Sequence, residues 1–123
     1  MQSYRHEGTV IFVSNRPPDA TIAQDMQLHG LEMHWAPTII AAGEMLAAPS
    51  KKTVIVTELA VADGNWRDLI ERVNTMDITL MIPIVLVTSS GTAELWWDAL
   101  ECGVDDILPG GRMASRLREI LER

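Results

Sequence analysis

Short apolar, β-branched runs alternate five times with segments of helical periodicity, and this alternation predicts an α/β domain with a doubly wound, five-stranded parallel sheet and helices on both faces. Three observations carry that prediction. Residues 9–13, 53–56 and 82–87 are nearly continuous in apolar residues, as expected for strands covered on both faces. Between them, apolar residues recur at helical spacing, most plainly at Trp66, Leu69, Ile70 and Val73. Parallel neighbours need crossover connections, and the intervening helical segments supply them.

Taken in order, residues 9–13 form the first strand. Asp19 is placed to cap a helix that runs to about His29, where Gly30 stops it. Residues 31–35 are a weaker strand. Thr38 then caps a helix over 39–47. After the strand at 53–56, the stripe from Trp66 to Val73 marks the third helix. The strand at 82–87 leads into a helix over 92–102 that ends at Gly103. A second weak strand, 106–108, precedes a last helix striped by Met113, Leu117, Ile120 and Leu121. No linker or repeat interrupts the pattern, so the 123 residues are expected to form one domain with its core over about 9–123.

Charge and composition narrow the function classes. The net charge of −7 disfavours a nucleic-acid binder, which needs a clustered basic face. Lys51, Lys52 and the arginines Arg112, Arg116 and Arg118 are too few and too interleaved with acids for that. No stretch approaches the roughly 18 apolar residues of a membrane span, and residues 1–8 lack a signal-like apolar core. A lone Cys102 allows no internal disulfide and fits a reducing, cytoplasmic setting; a buried, inert thiol is expected there. His6, His29 and His34 show no metal-ligand spacing.

In open parallel sheets, ligands and chemistry gather at the carboxyl ends of the strands. That rule selects Ser14–Asn15, Glu58, Thr88–Ser89 and Gly110–Gly111 as the positions to interrogate. Ser89, Ser90, Gly91 and Thr92 lie between a strand and a helix, an arrangement able to cradle phosphate on backbone amides, but the lysine of a true phosphate loop is absent. Ordinary turn and capping chemistry is the simpler reading. Asp105–Asp106 has the charge for a cation and the position to flank a strand. Trp96 and Trp97 are adjacent on a helix, so their directions diverge by about 100°; one is expected in the core and the other partly exposed as a docking anchor.

Four stretches in this order and spacing resemble the receiver domain of two-component response regulators of the chemotaxis-regulator type. They are Val13 with two polar residues and Pro17-Pro18-Asp19; Val56-Thr57-Glu58-Leu59 with Asp63-Gly64; Pro83 through Ser89; and Ala99 through Leu108. The resemblance covers about residues 9–123. It implies the flavodoxin-like strand order 2-1-3-4-5, a phosphoacceptor aspartate, magnesium held by an acidic pair, a switch hydroxyl and a lysine. Here the acidic pair falls on Ser14 and Asn15, and the acceptor on Glu58. Gly110 stands for the lysine, Gly111 for the proline after it, and Ile107 for the aromatic switch residue. Thr88 alone keeps its type.

Those departures imply a degenerate, pseudo-receiver site. Magnesium prefers carboxylate oxygens, and a charge about 4 Å away is worth roughly 1–4 kcal/mol per unit of ion charge. Losing two carboxylates therefore implies loss of magnesium binding and of phosphoryl-transfer catalysis. Two readings of Glu58 stay open: a built-in phosphoaspartate mimic accepting a hydrogen bond from Thr88, or a solvated carboxylate at a strand end. The function implied is a non-enzymatic, phosphorylation-independent signalling module. Its partner would be another protein or a second copy, met through the fourth helix, fifth strand and fifth helix, with Trp96 and Trp97 at the centre. An atypical phosphorylatable receiver and a small flavodoxin-like nucleotide or phosphate binder are the alternatives.

Overall fold

A computed structural model describes residues 8–47, 52–76 and 82–123. Five strands form one parallel sheet: β1 (Gly8–Val13), β2 (Leu31–Ala36), β3 (Thr53–Glu58), β6 (Ile84–Val87) and β7 (Asp106–Leu108). A two-residue antiparallel hairpin, β4 (Ala60–Val61) with β5 (Gly64–Asn65), stands apart from it. The sheet order β2-β1-β3-β6-β7 is the 2-1-3-4-5 order once the hairpin is set aside. The helices are α1 (Ala20–Leu28), α2 (Ile39–Leu46), α3 (Trp66–Asn74), α4 (Ala93–Glu101) and α5 (Ala114–Leu121). Among the described residues no helix is long and apolar enough to cross a membrane.

The alternation of side chains along a strand explains why both faces are apolar. On β1, Val10 and Phe12 point to one face and pack with Met26 of α1 and Leu117 and Leu121 of α5. Ile11 and Val13 point to the other, against Ile39 and Leu46 of α2, Leu69 of α3 and Ala99 of α4. Pro83 was expected inside the fourth strand of the main sheet, but β6 begins at Ile84. A proline has no N–H for the ladder; its carbonyl still accepts from the Ile55 amide.

The expected caps are in place. Asp19 accepts from the Ile22 amide, Thr38 from Ala41 and Thr92 from Leu95. Asn65 heads α3 in a reciprocal capping box with Asp68, a signal readable in the sequence but not anticipated. Gly30 and Gly103 follow α1 and α4 with φ of 71° and 93°, the left-handed geometry that ends a helix without steric cost.

Helix α5 has no side-chain cap of its own; Met113 occupies its N-cap. The Asp25 carboxylate of α1 supplies one from outside, accepting from the Ala114 amide at 3.2 Å. In return Arg118 of α5 donates to the carbonyl of His29 at the C-cap of α1. Each helix thus satisfies a bare backbone group at the end of the other.

Two expectations about α4 fail. Cys102 is exposed, because it sits at the C-cap of α4 just before the chain turns at Gly103. Neither tryptophan lies in the core: Trp96 is 40% and Trp97 68% exposed, with Leu100 at 54%. Ala99 is the one buried residue of α4, helped by partly buried Leu95. The edge strand β7 is only three residues long, so this helix rests on a narrow strip of sheet.

Replacing Leu117, fully buried between α5 and the sheet, by Ala is expected to cost about 2–5 kcal/mol. The same change at Leu28, 84% exposed, is expected to stay within about 0.5 kcal/mol. Urea midpoints of the two variants check the assignment of that layer.

Candidate functional site

The sheet register brings the selected positions to one edge. Val13 pairs with Thr57, Glu58 with Val87, and Val87 with Leu108. Ser14 and Asn15 therefore leave β1 beside Glu58, the last residue of β3, while Thr88 leaves β6 next to the chain emerging from β7. The Thr88 amide donates to the Leu108 carbonyl at 2.9 Å.

Glu58 is half-buried, and its Oε1 accepts a hydrogen bond of 2.8 Å from the Asn15 amide. The Asn15 side-chain amide donates in turn to the Ala60 carbonyl at 3.1 Å. Together they join the loop after β1 to the end of β3 at two points. A carboxylate accepting from a backbone N–H makes a charge-assisted bond, stronger than a neutral one. Ser14 is buried, and its hydroxyl donates to the Arg16 carbonyl at 2.6 Å, shaping the turn before Pro17. Its own carbonyl accepts from the indole N–H of Trp35, at 3.1 Å. Trp35, expected only as part of a weak strand, thus borders the site.

The hydrogen bond imagined between Thr88 and Glu58 is not formed. Thr88 Oγ1 accepts from the Ser90 amide at 3.2 Å and lies 3.4 Å from the Ser90 hydroxyl. The threonine hydroxyl serves the turn that precedes α4, a local competition typical of Ser and Thr. Ile107 is buried in the layer beneath α4. Gly110 and Gly111 have φ of 94° and 69°, a backbone region that side-chain-bearing residues rarely adopt. A lysine at position 110 would need a different path for this loop.

The loop between β3 and α3 is tied from a third direction. Asp63 Oδ1 accepts from the Ile39 amide at 2.8 Å and Oδ2 from Ile40 at 3.2 Å. With Thr38 taking the Ala41 amide, the first three N–H groups of α2 are satisfied. The hydrogen bond from Ile39, above all, holds the Asp63 carboxyl below its ordinary value, with Ile40 adding to it. Gly64 is packed against the same junction: a Cβ there would meet Asp68 Oδ2 at 2.7 Å and Ile39 Cδ1 at 2.8 Å. Asp63 was anticipated only as a loop residue, since a cap supplied across the sequence leaves no local signal.

Other candidates resolve into structural roles. Asp105 accepts from the Ile84 amide at 3.0 Å. Asp106 accepts from its neighbour Ile107 and pairs with Arg116 at 2.7 Å. His29 lies 3.6 Å from Asp25, and His34 lies 3.5 Å from Glu32. His6 and Lys51 lie outside the described residues. Among the described residues, no group of three or more His, Cys, Asp or Glu is arranged to hold a metal ion.

Asp63→Ala is expected to lower stability by about 0.5–1 kcal/mol, the low end for a helix cap because the group is exposed and screened. Because the folded carboxyl is held below the ordinary value of 3.8, its contribution is complete above that pH and fades as pH falls below it. Urea midpoints of parent and variant should therefore differ near neutrality and converge in acid.

Solved structures share this architecture. The beryllofluoride-activated N-terminal receiver domain of Klebsiella pneumoniae RstA matches with a TM-score of 0.75 and 23% identity, covering 94% of this chain and 99% of that one. The non-phosphorylated HemR receiver domain from Leptospira biflexa matches at 0.72 and 20%, covering 94% of each. The receiver domain of the Pseudomonas aeruginosa sensor histidine kinase PA1611, with magnesium coordinated in its active-site cleft, matches at 0.70 and 17%, also covering 94% of each. No protein-family model matches the chain, and no curated protein matches it in sequence. At these identities the likeness is one of architecture: this chain has the flavodoxin-like fold of response-regulator receiver domains.

Proposed function

We propose that this chain is a receiver-type module of two-component signal transduction that works by protein contact, without phosphorylation and without catalysis of its own. One observation carries the reading: Glu58, at the acceptor position, gives its carboxylate to the Asn15 amide. An acceptor must offer an oxygen to the incoming phosphorus beside a metal that neutralises charge. Here one carboxylate oxygen, Oε1, is engaged in joining two loops, and the positions that would hold the metal beside it are Ser14 and Asn15. The same bond argues against the phosphoaspartate mimic, because Glu58 is turned toward the loop after β1 while Thr88 serves Ser90.

The donor set does not suit magnesium. Of the three positions that would hold it, Ser14 directs its hydroxyl proton to Arg16, Asn15 offers a neutral amide bonded to Ala60, and Glu58 is the lone carboxylate. A hard divalent ion would gain a single charged ligand here, Glu58, beside a hydroxyl and a neutral amide. The signalling surface is then the one formed by α4, β7 and α5, where Trp96, Trp97 and Leu100 are exposed. A reducing, cytoplasmic setting suits the exposed, unpaired Cys102.

Incubation with magnesium and a small phosphodonor such as acetyl phosphate, followed by intact-mass measurement, tests the proposal. The expected result is an unchanged mass. A gain of one phosphoryl group that disappears in Glu58→Gln would overturn it. Titration with magnesium alone should leave tryptophan emission unchanged, although buried Trp66 sits immediately after the loop that follows Glu58.

A further inference from the structure

The exposed face of α4 is narrow and of one sign. On a helix, residues three and four apart are neighbours, so Trp97 is ringed by Ala93, Glu94, Leu100 and Glu101. All five are exposed. Glu94 and Glu101 make no ion pair among the described residues, whereas Asp98, on another side of α4, pairs with Arg67 of α3 at 3.0 Å. The outer face of α4 is thus an aromatic and aliphatic centre between two unpaired carboxylates, with no basic residue on the helix.

A second copy of the chain is poorly equipped to meet it. A two-fold interface would need the arginines of α5 to answer the acids of α4. Instead Arg116 is held by Asp106 at 2.7 Å and by Glu119 at 3.0 Å. Arg118 is held by Glu122 at 3.0 Å and by the His29 carbonyl. Arg112 and Arg123, on either side of α5, are the remaining cations of that region, and each copy carries a net charge of −7. Bringing two such faces together would set acid against acid.

Resting on the interaction module proposed above, we propose that the outer face of α4 docks a heterologous protein segment whose apolar centre is flanked by lysine or arginine. Trp97 and Leu100 fill the apolar centre, while Glu94 and Glu101 select the basic flanks. Trp96 stands on the inner margin of the patch. A Cβ on Gly91 would lie 3.4 Å from its indole nitrogen and 3.8 Å from the Thr88 methyl, so the ring crosses the loop that leaves β6.

Synthetic amphipathic helices serve as probes for calorimetric titration of the full chain: one of leucine and lysine, and one of the same pattern with glutamate for lysine. The leucine–lysine peptide should bind, and more weakly as salt is raised. Trp97→Ala and Leu100→Ala should each weaken binding, the tryptophan change by about tenfold or more. The double variant Glu94→Lys, Glu101→Lys should reverse the preference between the peptides. All four positions are exposed, and circular dichroism verifies that the variants keep their fold. Equal binding of both peptides, no binding of the leucine–lysine peptide, or unchanged affinity in Trp97→Ala would overturn the proposal. So would a concentration-dependent dimer, seen by sedimentation, that Trp97→Ala dissolves. Phosphoryl uptake by Glu58 would instead overturn the phosphorylation-independent reading and leave this surface standing.

Discussion

The carboxylate of Glu58 and the amide of Asn15 meet at the edge of the sheet, 2.8 Å apart, and the character of the site follows from that bond. Two strands deliver the partners: β1 ends at Val13 and β3 at Glu58, in register as neighbours. Glutamate reaches the loop after β1, and the Asn15 side chain returns to the Ala60 carbonyl. A half-buried carboxylate needs a donor. Oε1 takes a backbone amide, and this carboxylate is the one charged group that the three positions could offer a metal ion. The other departures are consistent with this arrangement. Ser14 and Thr88 turn their hydroxyls to their own loops, and the glycine pair follows a backbone path unsuited to a lysine.

The same economy of polar groups operates elsewhere. Asp63 satisfies the amides that open α2, Asp25 the amide that opens α5, and Arg118 a carbonyl that closes α1. Asp106 fixes Arg116. These contacts spend charges within the chain that would otherwise be available to partners. They leave Glu94 and Glu101 around an exposed tryptophan as the most conspicuous unsatisfied chemistry of α4. Hydrogen-bonded loops at the sheet edge and an exposed, one-signed helix face are the features on which the proposed contact role rests.

Much of the architecture was legible because it depends on local signals. Alternating β-branched runs gave the sheet; Asp19, Thr38, Thr92, Gly30 and Gly103 gave helix ends within a residue or so. The capping box at Asn65 and Asp68 is an equally local signal. What sequence could not reveal are pairings between distant segments: Glu58 with Asn15, Asp63 with Ile39, Asp25 with Ala114. Burial on α4 misled for a related reason. Apolar residues at helical positions are ordinarily core, but a three-residue edge strand offers too little sheet to cover Trp96, Trp97 and Cys102. The positions around Glu58 could be located from topology, yet the directions of their side chains depended on partners from other strands.

Hydrogen exchange at the Asn15 amide tests the central bond most directly. A charge-assisted hydrogen bond is worth about 1.5–3 kcal/mol. The account therefore predicts that this amide is protected in the parent chain, is insensitive to added magnesium, and exchanges about tenfold or more faster in Glu58→Ala. Equal exchange in parent and variant, or a marked change at Asn15 on adding magnesium to the parent, would contradict it.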